Sequence, residues 1–356
     1  MFDYMDYVAE HGHEQLVFNH DRETGLRALI AIHNTTLGPS LGGTRLWTYA
    51  HNEDAVLDVL RLSEGMTYKA ACAGLPLGGG KAVILADGKE NDPAVRAARF
   101  RAFGRFVESL SGRYITAEDV GTKPSDMVNV HKETNHVTGL PTSDMEGGSD
   151  DPSPMTAYGV LQGIRASAEE ILGSRDLNGV RVSIQGLGKV GWALTEYLLE
   201  QGARITATDI RPDVLKKAKS IGIRVVEGDE IFDVEGEILA PCALGAIINP
   251  NTIPRLNYKI IAGAANNQLE NIERDSTALA ERDITYVVDY VINSGGLINV
   301  ATEIEGYDYS RARSKTSEIF YTIKEMLALA KSAGITTQEA SMIMANKALD
   351  NAKIAV

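Results

Sequence analysis

The stretch GMTYKAACAGLPLGGGKAVIL, residues 65–85, holds two lysines twelve positions apart, Lys69 and Lys81, the second directly after three glycines. Three chemistries fit: a phosphate cradle, a catalytic lysine pair, or a tight turn with two solvated charges. A phosphate-binding loop needs G-x-x-x-x-G-K-[ST]. Gly80 fits ahead of Lys81, but position 75 is leucine, Gly74 misses by one, and Ala82 stands where a magnesium-binding hydroxyl belongs. That chemistry fails. Most lysines are surface charges, but Lys69 falls late on an apolar-striped segment, and Lys81 opens an apolar run after the polar-free AGLPLGGG. Two cations in low-polarity surroundings depress each other's pKa, and desolvation pushes the same way. A lysine so lowered can act as a base. Position alone leaves the solvated and the catalytic readings both open. Asp119 adds to the second, because it follows the strand-like YITAE at its carboxyl end, where open parallel sheets place their sites. Glu118 is adjacent, and strand neighbours point to opposite faces. Local pattern does not choose between them.

A second chemistry is written in VRVSIQGLGKVGWALTEYLLEQGARITATD, residues 180–209. A β-branched run leads into the turn Gly186, Leu187, Gly188, Lys189, Val190, Gly191; a helical segment and a second strand ending at Asp209 follow. In a dinucleotide-binding unit the first glycine permits the tight turn, the second lets the backbone approach the pyrophosphate, and the third lets the helix pack close. The helix N-terminus offers N–H groups and a positive dipole end to the phosphates. Asp209 lies 18 residues after Gly191, near the ~20 expected of the acid that takes the ribose hydroxyls. The acid favours NAD; Arg211, two residues on, keeps a 2′-phosphate open.

The elements that must carry these groups follow from periodicity. LRALIAI (26–32), KAVILA (81–86) and YITAEDV (114–120) read as strands, and 54–72 and 94–110 as amphipathic helices. The stretch PTSDMEGGSDDPSP, 141–154, is almost free of apolar residues and marks a domain boundary. It ends in a helix start, with Ser153 as N-cap and Pro154 at the first helical position; Gly173 closes that helix. Beyond it VRVSIQ, ARITATD, RVVE, EILAP, KIIAGAA and TYVVDYV alternate with helical or loop segments, the pattern of a parallel sheet with helices on both faces. SEIFYTIKEMLALAKSAG is a helix ending at Gly334, and Thr336 with Glu339 forms a capping box for a last one. The expected architecture is α/β: a substrate-binding and catalytic domain over 1–140, a Rossmann domain with a doubly wound parallel sheet over 150–330, a cleft between them, and a final helix, 335–356, returning to the first.

The 356-residue length suits two domains. A net charge of −13 argues against nucleic acid or anionic lipid as partners. Two cysteines, Cys72 and Cys242, form no disulfide framework and point to the cytoplasm. No signal peptide or ~18-residue apolar span is present. His11, Gly12 and His13 read as a solvated helix end rather than a metal site, and no metal is expected.

Taken together, TTLGPSLGGTRLW, GMTYKAACAGLPLGGGKAVI, YITAEDVGT, PSPMTAYGV, QGLGKVG, APCALGAIIN, AGAANNQL and DYVINSGGLINVA resemble the amino acid dehydrogenase family of glutamate, leucine, phenylalanine and valine dehydrogenases, and its leucine branch most. The resemblance covers almost the whole chain. It implies that Lys69 holds the substrate α-carboxylate, that Lys81 is catalytic, and that Asp119 rather than Glu118 exchanges protons with the amino group. It implies that Gly42 and Gly43 let the substrate approach the backbone, and that Thr156, Ala243 and Asn266 lie near the dinucleotide, Asn266 also near the substrate. The reaction implied is NAD-dependent reversible oxidative deamination of an apolar L-amino acid to its 2-oxo acid, ammonia and NADH, by a homo-oligomer, often an octamer.

Glutamate dehydrogenases, similar at GPSLGG, carry a lysine where Leu41 stands and a serine where Val300 stands. Their loss strands a buried carboxylate at a cost of several kcal/mol, so leucine, valine and isoleucine are expected, with phenylalanine and other aromatics as the alternative. Ala117 and Asn299 resemble the leucine enzymes, whereas Leu297 and RFRAFGRFVESLSGR resemble the phenylalanine enzymes. Ser294 replaces the family's usual alanine. A third reading, a non-catalytic dinucleotide-binding regulator, would need a missing catalytic group.

Overall fold

The computed structural model describes residues 3–143 and 147–354, so 144–146 of the expected boundary stretch lie outside the described residues. The chain divides into two compact units: 1–151 with 299–309 and 345–356, and 152–298 with 310–344.

In the first unit, α1 (Tyr4–His11), β1 (Gln15–Asp21), β2 (Leu26–Asn34), β3 (Ser40–Trp47), α2 (Asn52–Cys72), β4 (Gly78–Leu85), α3 (Pro93–Glu108), β5 (Tyr114–Glu118) and α4 (Pro124–His131) follow in order. The sheet runs β1-β2-β4-β3-β5. β1 and β4 flank β2 antiparallel, while β4 and β5 flank β3 parallel. One face packs Leu26, Ile30, Ile32 and Ile84 against Phe100, Phe103 and Val107 of α3. The other packs Leu29, Ala31 and Val83 against Val56, Val59 and Leu60 of α2. Both faces are covered, so β2 and β4 read as unbroken apolar runs.

The second unit holds α5 (Ser153–Leu172), β6 (Arg181–Gln185), α6 (Lys189–Glu200), β7 (Arg204–Thr208), α7 (Pro212–Ser220), β8 (Arg224–Val225), β9 (Ile238–Pro241), β10 (Ile260–Ile261), α8 (Ile272–Ala280), β11 (Thr285–Tyr286) and α9 (Asp289–Ile292). After them come α10 (Gly295–Ala301), α11 (Tyr309–Ser317), α12 (Ile319–Ala333) and α13 (Thr337–Ile354). The sheet is parallel throughout and ordered β11-β10-β9-β6-β7-β8, which is the Rossmann order with its reversal between β6 and β9.

Three local expectations change. Ser153 is the first helical residue of α5 and Pro152 holds the N-cap position. TYVVDYV yields only two strand residues; the Asp289 carboxylate accepts the Tyr290 N–H at 2.7 Å and opens α9 instead. His13 is no solvated helix end: it is 7% exposed, its Nε2 is 3.0 Å from the Leu60 carbonyl, and its ring meets His33 edge-on. The Thr336–Glu339 capping box is present, with Thr336 N–H to Glu339 at 2.8 Å and Glu339 N–H to Thr336 Oγ1 at 3.2 Å. Among the described residues no helix is long and apolar enough to cross a membrane, and no group of three or more His, Cys, Asp or Glu is placed to hold a metal.

Candidate active site

In the first unit the parallel trio β4-β3-β5 gathers the charged groups. Lys81 lies in β4 opposite Ala31 of β2 and is 5% exposed. Asp119 is the first residue beyond β5. Its turn is fixed by Thr122, whose hydroxyl accepts the Asp119 N–H at 2.8 Å and lies 3.0 Å from the Thr44 carbonyl. Lys81 Nζ is 3.0 Å from Asp119 Oδ2. Arg45 of β3 donates from Nε to the same oxygen at 3.2 Å and from Nη1 to Asp58 of α2 at 2.9 Å. The Tyr49 hydroxyl donates to that Asp58 oxygen. Burial pushes the Asp119 carboxyl up, but the attraction of Lys81 and then Arg45 outweighs it and leaves it below the ordinary carboxylate range. Asp119, not Glu118, is therefore the carboxylate on Lys81, and it is anionic at neutral pH. Lys81 thus has a direct acidic partner. Lys69, near the end of α2, is half-buried.

The glycines around these groups make room for protein. A Cβ on Gly79 would lie 2.1 Å from the Thr67 nitrogen of α2, and one on Gly80 2.7 Å from the Tyr114 ring. On Gly42 it would lie 1.7 Å from the Gly80 carbonyl oxygen, and on Gly43 2.5 Å from that of Glu118. Close packing of α2 and the three strands thus demands glycine at these positions. Tyr114, fully buried, donates its hydroxyl to the Gly42 carbonyl at 2.6 Å. Leu41, Ala117 and Val300 are buried and apolar.

In the second unit Gly186 takes φ 97°, a left-handed value that favours glycine. A Cβ on Gly191 would sit 2.0 Å from the Gly186 carbonyl oxygen, whereas one on Gly188, N-cap of α6, would meet no atom within 4 Å. Turn, open approach and close helix packing thus fall on the three glycines in the expected order. Leu187 is buried; Lys189 and Val190 open α6. Ala243 packs on Gly186, and the next residue, Leu244, is 76% exposed, as is Ile210 at 97% beside Asp209. These strand ends present an open backbone turn with apolar side chains around it, a donor set that fits a dinucleotide's pyrophosphate and adenine. Asp209 is already engaged. Its Oδ2 accepts the Leu187 N–H at 2.7 Å and its Oδ1 the Arg211 Nε at 2.9 Å. Arg211, chiefly through those hydrogen bonds, holds the Asp209 carboxyl down at about 2.

Asn266 is exposed beyond β10, and its orientation is set by buried Asn293. The Asn293 amide nitrogen must face the Ala264 carbonyl at 3.0 Å, since a carbonyl only accepts; its other hydrogen goes to Asn266 Oδ1 at 2.6 Å. The Asn266 NH2 group is thereby turned away from Asn293 as a donor. Thr156 near the start of α5 donates to the Pro152 carbonyl at 2.9 Å and packs close to Gly296. Leu297 of α10 is 8% exposed, and Ser294, where alanine is usual, spends its hydroxyl on the Val291 carbonyl at 2.7 Å.

The family described as Glu/Leu/Phe/Val dehydrogenase, dimerisation domain, matches residues 13–136, and Glutamate/Leucine/Phenylalanine/Valine dehydrogenase matches 147–213 and 208–355. The chain belongs to this family. Leucine dehydrogenase of Thermoactinomyces intermedius is 49% identical over 346 residues, 97% of this chain and 93% of that one. L-tryptophan dehydrogenase of Nostoc punctiforme is 46% identical over 347 residues, 97% and 96% of the two chains. Its crystal structure superposes with a TM-score of 0.86 at 44% identity, covering 98% of this chain and 99% of that one. Phenylalanine dehydrogenase of Lysinibacillus sphaericus is 46% identical over 345 residues, 95% and 89% of the two. The protein is therefore an amino acid dehydrogenase, and relatives with three different substrates lie at nearly equal distance. Within this amino acid dehydrogenase, sequence reasoning passed over Arg45, Asp58 and Asn293. The one available signal was an arginine inside SLGGTRLW, where every other residue before the last is buried.

Proposed function

We propose that this dehydrogenase carries out the reversible NAD-dependent oxidative deamination of an apolar L-amino acid, leucine first, with valine and isoleucine. The observation that carries the reading is the ion pair between buried Lys81 and half-buried Asp119 at 3.0 Å, in a family of amino acid dehydrogenases. NAD, when bound, takes the hydride from the substrate Cα. Gly186–Gly191 and the start of α6 would hold its pyrophosphate, Asp209 its ribose, and Ala243, Thr156 and Asn266 its remaining parts. Lys69 neutralises the substrate carboxylate. The Asp119 carboxylate takes a proton from the amino group as the C–N bond gains double-bond character, and returns one to the departing ammonia. Lys81 as the free amine takes the proton of the water that attacks the imine carbon. As the ammonium it stabilises the oxygen's developing charge. Leu41, Ala117, Leu297 and Val300 are assigned to the substrate side chain.

An aromatic amino acid is the second reading, favoured by Leu297 and by the tryptophan and phenylalanine dehydrogenases at 46% identity. The free thiols Cys72 and Cys242 suit a reducing cytoplasm. The dimerisation-domain match over 13–136 supports a homo-oligomer, an octamer by resemblance, which light scattering tests. NADH formation from NAD with leucine, valine, isoleucine, phenylalanine, tryptophan and glutamate tests the activity. The highest kcat/KM is expected for leucine; an aromatic leading would install the second reading, and no turnover with any would refute both.

A further inference from the structure

To accept the amino-group proton, Asp119 has to be ionised and aimed even when its lysine partner has lost its charge, and the chain carries a group suited to that task. On the reading above, Lys81 alternates between amine and ammonium in each turnover. In the amine state its charge no longer attracts Asp119, and burial then favours the protonated acid. Arg45 is a second cation on the same oxygen, Asp119 Oδ2, and a guanidinium does not give up its proton in this range. Its other arm is tied to Asp58, and Asp58 to Tyr49. β3, which carries Arg45, is hydrogen-bonded to both β4 and β5, and the turn after Asp119 is pinned back to Thr44, Arg45's neighbour, by Thr122. The charged or titratable groups set against Asp119 are Lys81 from β4, Arg45 from β3 and the Tyr114 phenol from β5, with Asp58 and Tyr49 behind Arg45.

We propose that Arg45 is a positioning residue that favours the ionised form of Asp119 and turns it to Lys81 before and after each of its proton transfers, braced in its own place by Asp58. Arg45 itself does not touch the reacting atoms in this account. The inference rests on Asp119's proposed role for its functional meaning, but its electrostatic content can be read without turnover.

The test is an infrared titration of the Asp119 carboxyl band, isolated by subtracting the spectrum of Asp119→Asn, in the wild-type chain and in Arg45→Gln, Arg45→Lys and Asp58→Asn. Removing one of two adjacent cations should raise the Asp119 midpoint by about one pH unit in Arg45→Gln, and the acid limb of kcat should move with it. Asp58→Asn removes an anion from behind Arg45, so its midpoint should stay or fall while kcat drops. An unmoved midpoint in Arg45→Gln overturns the proposal, as does an equal rise in Asp58→Asn, which would mark general loosening. Should Arg45→Gln not fold, Arg45→Lys decides: a midpoint within about half a unit of wild type with reduced kcat supports the proposal, and a full-unit rise overturns it. A wild-type chain inactive on every amino acid but showing these titration shifts would refute the functional reading and leave the electrostatic inference standing.

Discussion

On the proposed cofactor site, Gly188 is required by a ligand and Gly191 by the fold, and two substitutions separate them. The backbone of Gly188 is extended at φ −65°, ψ −168°, and an added methyl meets no atom within 4 Å. In Gly188→Ala the gain from a stiffer unfolded chain, about 0.4–1 kcal/mol, nearly cancels the loss of glycine's N-cap advantage over alanine, which is of similar size. Melting should move by less than about 3 °C. The same methyl occupies the space the cofactor phosphates would use, and a misfit of about 1.4 kcal/mol already weakens binding tenfold. Gly191→Ala is the reverse case. Its Cβ starts 2.0 Å from the Gly186 oxygen, and ordinary contact begins at 3.4 Å, so α6 must retreat by roughly 1.4 Å or the loop must distort. Overpacking of that kind costs about 1–3 kcal/mol, or roughly 3–10 °C in a domain of this size. NADH fluorescence titration and calorimetric melting on the two variants give the answer. A Gly188→Ala protein that binds NADH within twofold of wild type refutes the placement of the dinucleotide on this turn. A Gly191→Ala protein with unchanged melting refutes the packing account of the third glycine.

Lys81→Ala should lose about 10²–10⁴-fold in kcat while binding NADH as before; near-normal turnover removes Lys81 from the chemistry. Asn293→Leu frees the Asn266 amide to rotate and should raise the amino acid KM about tenfold, the worth of one hydrogen bond to a charged group; an unchanged KM shows that Asn293 does not set that donor. Buried Arg99 holds Asp87 through two bonds of 2.7 and 2.9 Å and donates to the Thr24 carbonyl at 3.1 Å, so Arg99→Met should cost about 2–3 kcal/mol at pH 7 by urea denaturation. Arg99's hydrogen bonds keep the Asp87 carboxyl below its ordinary range. Its contribution is therefore complete above the unfolded value near 3.9 and fades as pH falls below that, so the gap between wild type and Asp87→Asn should close under acid. A gap that widens there contradicts the pairing.

The second unit was legible because its signals are local. β6 and β7 are β-branched runs bounded by turn residues, and the three glycines, α6 and Asp209 fall within one thirty-residue window. Gly173 and Gly334 announce helix ends, and both take left-handed φ, 82° and 65°. β3 was passed over because SLGGTRLW carries two glycines, which depress a strand reading, and the packing that requires them comes from β4 and β5, distant in sequence. β1 is an edge strand paired on one side only, with Phe18 59% exposed, so its alternation is blurred. The site's charges were legible one at a time but not as a network. Asp119 and Arg45 are 74 residues apart, and no local period connects them. The choice between Glu118 and Asp119 needed either a resemblance or the observed bond to Lys81. His13 misled because a histidine beside a helix end is ordinarily solvated, and its burial comes from α2 and His33.

Substrate choice follows from the relative size of two penalties. Leu41, Ala117 and Val300 are apolar and at most 8% exposed. If these residues meet the substrate side chain, as proposed, a dicarboxylic amino acid would strand a charge there, at several kcal/mol, a factor of a thousand or more. Leucine, valine and the aromatics differ from one another by methylenes and ring area, and one methylene in an apolar pocket discriminates by only about 10–200-fold. An apolar pocket of the proposed kind would therefore exclude glutamate steeply and grade the apolar substrates gently. Relatives of 49%, 46% and 46% identity named as leucine, tryptophan and phenylalanine dehydrogenases fit that asymmetry, since a fixed set of charged groups is compatible with a side-chain pocket retuned by a few methyl groups. The ratio of leucine to phenylalanine kcat/KM in this enzyme should accordingly lie within the methylene range, and its ratio of leucine to glutamate well outside it.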